Sequence, residues 1–186
     1  MNIGKRFVQK QNEIYKNPLS PARLVRGARI DELRLANKSA LVERGKDPSV
    51  LIVAFTGGAQ MLMMPVYEFF DLTNSLSYSR ILLRDSLNKR YRNGIDRRRP
   101  DYPSFLNFLQ KEINKLAPQK KIFIGTSAGG SAAIRVGHDL GADYVHAFGA
   151  KTGVNPNDLQ NTKREPDLEL GPILNESNLK TRYYLH

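Results

Sequence analysis

Runs of apolar residues alternate with amphipathic stretches from residue 49 onward. The continuous apolar run at 49–55 is typical of a strand that is buried on both faces. Four further segments predict strands by the same pattern: 79–85, 120–127, 142–150 and, at the end of the chain, 180–186. Because most of these runs do not alternate between apolar and polar residues, a sheet covered on both sides is indicated.

Three segments between these strands have helical spacing. Apolar residues line one face of 61–76, where Pro65 is expected in the first turns or at a kink, and 128–141 is a helix of small residues. In 102–117 the apolar positions fall three or four residues apart, and Asp101 to Ser104 supplies start signals. Strands that alternate with helices predict an α/β fold, a mostly parallel sheet with helices on both faces, as in a Rossmann-like three-layer sandwich.

The first part of the chain has a weaker pattern. Residues 1–28 are mixed, polar and basic, which predicts a loose or helical segment. Residues 31–44 contain two short alternating runs around Asn37-Lys38, which favour a hairpin but also allow a helix. We therefore divide the chain into an N-terminal segment, 1–48, and an α/β domain, 49–186.

The composition excludes several kinds of chemistry. The chain of 186 residues has no cysteine, so disulfides, thiolate metal sites and cysteine nucleophiles are excluded. No segment approaches the roughly 20 apolar residues that span a bilayer, and the first residues lack the apolar core of a signal peptide. We expect a soluble, cytoplasmic protein with no membrane span, and nothing in the sequence implies a metal or a cofactor.

The net charge is +11, and much of it is concentrated between Arg84 and Pro100. A basic patch attracts phosphates, acidic polymers or anionic surfaces, although a solvated basic loop has the same composition. Few aromatic residues are interleaved with these charges, and no specific nucleic-acid-binding motif is present. An anionic partner is therefore a hypothesis, and a nucleic acid ranks below it.

One serine stands at a predicted junction between a strand and a helix. The residues Gly125-Thr126-Ser127-Ala128-Gly129 form the pattern G-x-S-x-G, where an apolar run gives way to small residues. A sharp turn at this point strains the serine backbone, requires glycine two residues to either side, and holds the hydroxyl at the sheet edge. The helix that follows directs free N–H groups to the same place. A glycine-rich turn that only binds phosphate is the alternative, but no Walker lysine follows.

With this nucleophile elbow the chain resembles the α/β-hydrolase superfamily over residues 49–150. The resemblance implies that Ser127 is the nucleophile and that the N–H of Ala128 contributes to an oxyanion hole. A second N–H would come from the loop after the first predicted strand, where Thr56, Gly57, Gly58 or Ala59 are candidates. Gly57 and Gly58 let a substrate approach the backbone closely.

The resemblance also implies an acid and then a histidine after the serine. His138 lies eleven residues along the predicted helix, about 16 Å from its start, and cannot reach Ser127. His146 lies inside a predicted strand, where a sheet-face role is favoured. His186, at the expected edge of the sheet, is therefore the candidate base. Asp158 is the candidate acid, with Asp167 and Glu169 as alternatives.

The triad implied by the resemblance is shortened or atypical in this chain, because the family places its histidine after a further strand. Three accounts remain open. The chain could be a shortened hydrolase that uses His186, a truncated or degenerate copy that has lost its base, or a protein whose base comes from a separate polypeptide.

Arg84, Asp85 and Tyr91 provide a second motif. They resemble a pattern in bacterial hydrolase-like proteins linked to surface polysaccharides or secretion, although the tryptophan-tyrosine pair usual there is Arg90-Tyr91 here. Arg84 and Asp85, just beyond a buried strand, could pair and brace the edge of the site. This resemblance adds a glycan-linked acyl compound to small-molecule esters as possible substrates.

The main hypothesis is thus a serine hydrolase or acyltransferase that acts on an ester or other acyl substrate through Ser127. The alternative is a catalytically degenerate hydrolase-like binding protein that uses the basic segment Arg84–Arg99 to bind an anionic partner.

Overall fold

The computed structural model describes residues 38–150, 170–174 and 180–186. Their strands form one six-stranded sheet in the order β1-β3-β2-β4-β5-β6. The strands are β1 (Ala40–Glu43), β2 (Asp47–Phe55), β3 (Tyr78–Leu83), β4 (Lys120–Thr126), β5 (Tyr144–Phe148) and β6 (Arg182–Leu185). Each of the five strands predicted after residue 48 is present, within a few residues of its predicted bounds.

The sheet is parallel except at one edge. β1 pairs with β3 in antiparallel orientation, and every other neighbouring pair is parallel. Phe55 of β2 is opposite Gly125 of β4, and Thr126 of β4 is opposite Phe148 of β5. The carboxyl ends of these three strands therefore lie side by side, which is where ligands bind in parallel sheets.

The described residues contain four helices: α1 (Val66–Asn74), α2 (Tyr102–Leu116), α3 (Ala128–Asp139) and the short α4 (Gly171–Leu174). Asp101 caps α2, because its carboxylate accepts the N–H of Ser104 at 2.7 Å while the Ser104 hydroxyl accepts the N–H of Asp101. The start signal read from the sequence is confirmed. Pro65 immediately precedes α1, so it introduces no kink there.

Apolar side chains cover both faces of the sheet. Leu51, Val53 and Phe55 of β2 lie in the larger core cluster, together with residues of α2 and α3. Ile52 and Ala54 point to the other face, where they belong to the cluster that contains Val66 and Phe69 of α1. The predicted α/β class, with helices on both faces of a mostly parallel sheet, is confirmed.

The N-terminal segment contributes at least its last residues to this sheet. The second half of the predicted 31–44 hairpin is β1, and Leu41 pairs with Leu82 of β3 rather than within a local hairpin in the described residues. Residues 31–37 and the segment 1–28 lie outside the described residues, so the division at residue 48 stays a prediction.

Candidate active site

The strand-to-helix junction after β4 consists of a single residue. β4 ends at Thr126 and α3 begins at Ala128, so Ser127 alone makes the turn. Its backbone angles are φ +52° and ψ −118°, which a residue with a side chain rarely adopts. Such a conformation costs on the order of 1–3 kcal/mol. The serine is nevertheless exposed, so the turn presents it to solvent at the sheet edge.

Two glycines make this turn sterically possible. A Cβ atom on Gly125 would lie 2.1 Å from the carbonyl oxygen of Gly129, and one on Gly129 would lie 2.2 Å from the carbonyl oxygen of Phe55. Both distances are far below van der Waals contact, and both atoms belong to the backbone. Only glycine therefore lets α3 start so close to the ends of β4 and β2.

The backbone amides around the serine differ in whether they have an acceptor. The N–H of Ala128, the first residue of α3, has no acceptor among the described residues. In the loop after β2, the amides of Thr56 and Gly57 donate to Leu83 at 3.1 Å and to Met61 at 2.8 Å, whereas that of Gly58 meets no acceptor in the described part of the chain. Gly57 still lies close to Ser127, since a Cβ built on it would be 3.6 Å from that of the serine.

Gly57, Gly58, Ser127 and Ala128 line one cavity, which Asp85 also borders. The structure thus brings together the predicted nucleophile and the predicted oxyanion residues. The Gly57 amide is already used within its own loop, whereas the amides of Ala128 and Gly58 have no acceptor among the described residues.

Tyr91 fixes the loop that carries these glycines. It is buried, and its hydroxyl lies 2.9 Å from the carbonyl oxygen of Thr56 and 3.0 Å from that of Leu83, at the ends of β2 and β3. Burial raises the pKa of Tyr91 far above its usual range, so the phenol stays protonated as a donor. Its own backbone N–H donates to the carboxylate of Asp85 at 3.0 Å.

Arg84 and Asp85 also stabilise this end of the sheet, through Gln60 and through backbone N–H groups. The Nε of Arg84 donates to the side-chain oxygen of Gln60 at 3.1 Å, and the side-chain amide of Gln60 donates to the Asp85 carbonyl at 3.2 Å. The Asp85 carboxylate accepts the backbone N–H groups of Leu87 and Tyr91. Gln60 was missed by the sequence reasoning, although its place in the loop after a buried strand was a signal.

A second cavity beside Ser127 is strongly basic. Its lining includes Arg90 and Arg92 from the turn after β3, and Ser131 and Arg135 from α3. Arg135 was also missed from the sequence. It lies four residues after Ser131, a spacing that places these two side chains on one face of α3, and both line the cavity next to Ser127.

His138 lies in the last turn of α3, and the other two histidines lie at the β5 and β6 edge of the sheet. The Nε2 of His186 is 3.3 Å from the Nδ1 of His146, and its ring stacks on Phe148 with centroids 4.3 Å apart. His186 lines neither cavity beside Ser127. His146 also stacks on Tyr184, and burial together with the neighbouring His186 lowers its pKa. Asp158, Asp167 and Glu169 lie outside the described residues.

Two further observations concern metal binding and membrane spanning. Within the described ranges, no three side chains of the usual metal-binding types are grouped closely enough to hold a metal ion. None of the described helices has the length and apolarity needed to cross a membrane.

Comparison with known proteins gives structural matches alone. No family model matches the chain, and no curated protein matches it. A chain of the glycosylation-associated Gap123 complex from Streptococcus agalactiae is 14% identical, with a TM-score of 0.49; the match covers 79% of this chain and 36% of that one. The Staphylococcus aureus S-formylglutathione hydrolase FrmB is 13% identical, with a TM-score of 0.45; its match covers 73% of this chain and 59% of that one.

MenH from S. aureus is 12% identical, with a TM-score of 0.46, and the match covers 68% of this chain and 47% of that one. The present chain therefore spans between about a third and three fifths of these proteins. At such identities and TM-scores, the likeness indicates neither an activity nor a substrate. What the described residues establish is an α/β-hydrolase-like fold: a mostly parallel sheet whose β4 ends in a strained serine turn.

Proposed function

We propose that the protein is a serine hydrolase or acyltransferase that acts on an ester or other acyl substrate through Ser127. One observation carries this proposal. A serine with a positive φ of +52° is held by two obligatory glycines at the carboxyl end of a parallel sheet, in a cavity it shares with two amides that have no acceptor among the described residues. Strain of this kind persists where the surrounding structure enforces it, and such sites are commonly functional.

The chemistry is nucleophilic acyl transfer. The Oγ of Ser127 attacks the substrate carbonyl, and the N–H groups of Ala128 and Gly58 stabilise the oxyanion that forms. As the bond from Oγ to carbon forms, the carbonyl π electrons move onto the oxygen and a base takes the serine proton. When the oxyanion collapses, the bond to the leaving alkoxide breaks and the base gives the proton to that alkoxide. Water or a second alcohol then attacks the acyl-serine by the same route in reverse, which gives hydrolysis or acyl transfer.

For the base we propose His186, with Asp158 as the acid that orients it. His186 lies at the carboxyl end of β6, and its backbone carbonyl accepts the N–H of Gly149, just after β5. In the structure its ring contacts His146 and Phe148, so this role requires the ring to rotate toward Ser127. If the base has been lost, or comes from another polypeptide, substitution of His186 should leave the reactivity of Ser127 unchanged.

The proposal is tested by labelling the purified protein with a fluorophosphonate. The wild-type protein and the Ser75→Ala variant, which changes an exposed serine at the end of α1, should be labelled equally. Ser127→Ala should abolish labelling. Labelling that survives in Ser127→Ala, or no labelling of the wild-type protein, would overturn the proposal.

The base is tested separately on the labelling rate. His186→Ala and Asp158→Ala should each slow labelling by at least a hundredfold if these residues serve Ser127. If the labelling rate is unchanged in His186→Ala while Ser127 still reacts, His186 is not the base.

A catalytically degenerate binding protein is the second candidate, and the basic cavity favours it. Arg90 and Arg92 belong to the basic segment Arg84–Arg99, and both line the cavity next to Ser127. This function predicts retention on heparin that falls steeply with salt and is the same in Ser127→Ala. Retention together with a complete lack of fluorophosphonate labelling would favour binding over catalysis.

A further inference from the structure

Among the described residues, those that line the cavity on the α3 side of Ser127 include three arginines and no aspartate or glutamate. Arg90 and Arg92 approach it from the turn after β3, and Arg135 approaches it from α3. Charges from two separate elements converge on the space next to the nucleophile. Guanidinium groups recognise carboxylates and phosphates through charge-assisted hydrogen bonds.

Arg135 lies on the same side of α3 as the nucleophile. Eight residues separate it from Ser127, which is about 12 Å along a helix axis, and helical side chains tilt toward the N-terminus. Arg135 and Ser127 line the same cavity, so a ligand that reaches the serine can also contact the arginine.

The arginine is held in place by its neighbours. Its guanidinium lies 4.0 Å from the centre of the Tyr102 ring, and the Tyr102 hydroxyl donates to the carboxylate of Asp139 at 2.5 Å. Burial, followed by the hydrogen bond to Asp139, raises the pKa of Tyr102 above its usual range. A stacked guanidinium keeps its N–H edge available for an anion, so the cavity is organised before a ligand arrives.

We infer that the substrate of Ser127 is an ester carrying a carboxylate or phosphate a few bonds from the reacting carbonyl, and that Arg135 binds this negative charge. The inference rests on the proposed acyl transfer at Ser127 and adds the class of substrate. The anion itself takes no part in the reaction, because the bonds that form and break are those between the carbonyl carbon and the two oxygens.

The experiment compares pairs of esters that differ by one charge. On the acyl side, 4-nitrophenyl hydrogen glutarate is compared with its neutral methyl ester. On the leaving-group side, 4-acetoxybenzoate is compared with methyl 4-acetoxybenzoate. In at least one pair, the wild-type protein should favour the charged ester by about tenfold to a hundredfold in kcat/KM, and the responding pair shows which portion carries the charge.

Arg135→Gln should remove that preference through a fall of about tenfold to a hundredfold in kcat/KM for the charged ester. Lys111→Gln removes one positive charge from an exposed position of α2 outside the cavity, and it should keep the preference. This variant separates local binding from the long-range effect of the net charge.

Equal rates for both members of both pairs, or a preference that persists in Arg135→Gln, would overturn the inference while leaving acyl transfer at Ser127 intact. Failure of every ester together with a lack of fluorophosphonate labelling would overturn the proposed function, and the inference with it.

Discussion

The hydroxyl of Tyr91 lies 2.9 Å from the carbonyl oxygen of Thr56, the residue immediately before Gly57 and Gly58. This contact joins the turn after β3 to the loop that faces Ser127. Tyr91 has a positive φ of +62° and is almost fully buried, so the surrounding structure holds a backbone that a tyrosine disfavours. A bulky aromatic residue in this conformation indicates that the fixed loop matters to the site.

Tyr91→Phe should therefore affect both stability and reactivity. It removes one buried hydroxyl and leaves the carbonyl of Thr56 without this donor, which costs about 1–3 kcal/mol in the free energy of unfolding. The rate of fluorophosphonate labelling should fall as well, because the loop carrying the Gly58 amide loosens. Urea denaturation and timed labelling measure the two effects. Tyr184→Phe, at an exposed tyrosine, is the control and should match the wild-type protein. The prediction would be contradicted if Tyr91→Phe were as stable as the wild-type protein.

Ser127→Gly should be more stable than Ser127→Ala, by about 1 kcal/mol. Glycine adopts a positive φ without the strain of a Cβ atom, although it loses more backbone entropy on folding. Both variants lack the hydroxyl, so neither should be labelled by a fluorophosphonate. Thermal unfolding of the two variants measures the contribution of the backbone conformation at position 127 to stability. A glycine variant less stable than the alanine variant would show that the turn is not strained.

Arg80→Met should destabilise the fold by about 3 kcal/mol. Arg80 is buried in β3, where it donates to the carboxylate of Glu43 in β1 at 2.6 Å and to the carbonyl of Phe70 in α1 at 3.0 Å. Removal of one partner leaves Glu43 as a charge with little exposure. The matched control is Lys115→Met, which breaks the exposed pair with Glu112 and should change stability by less than about 0.5 kcal/mol. Equal costs in urea denaturation would contradict the prediction.

Stability should also fall in mildly acidic solution because of His146. Burial, and then the neighbouring His186, lowers the pKa of His146 below its unfolded value of 6.5. Below pH 6.5 the unfolded chain binds a proton that the folded one takes up less readily, so this contribution to stability is complete above pH 6.5 and is lost as the pH falls toward the folded pKa. His146→Phe keeps an aromatic ring in the stack without titration. The difference in unfolding free energy between pH 7.5 and pH 5.5 should be smaller in this variant, and an unchanged difference would contradict the prediction.

Local patterns in the sequence were sufficient for most of the elements. The apolar run at 49–55 can only be accommodated where both faces are covered, and the pattern at 101–104 is a helix start wherever it occurs before apolar spacing. The turn at Ser127 was equally predictable, because glycines at 125 and 129 meet a steric requirement that is written within five residues. Each of these features depends on neighbours in the chain, which a sequence displays directly.

Relationships between distant segments could be decided only by the tertiary structure. The sequence allowed residues 40–43 to pair in a local hairpin, whereas the structure pairs them with β3, and Arg80 contacts Glu43 across that edge. The amide of Gly57 is used by Met61, so of the two glycines in this loop Gly58 is the one whose N–H has no acceptor among the described residues. Arg135 contacts Tyr102, which lies 33 positions earlier in the chain. The basic cavity therefore combines residues whose proximity the sequence does not reveal.

By itself, then, the sequence determined the α/β layers and the strained serine at the end of β4, because hydrophobic periodicity and local steric limits act over a few residues. The tertiary structure decided which amides, arginines and rings surround that serine, because those contacts depend on how the ends of separate strands and helices come together at one edge of the sheet.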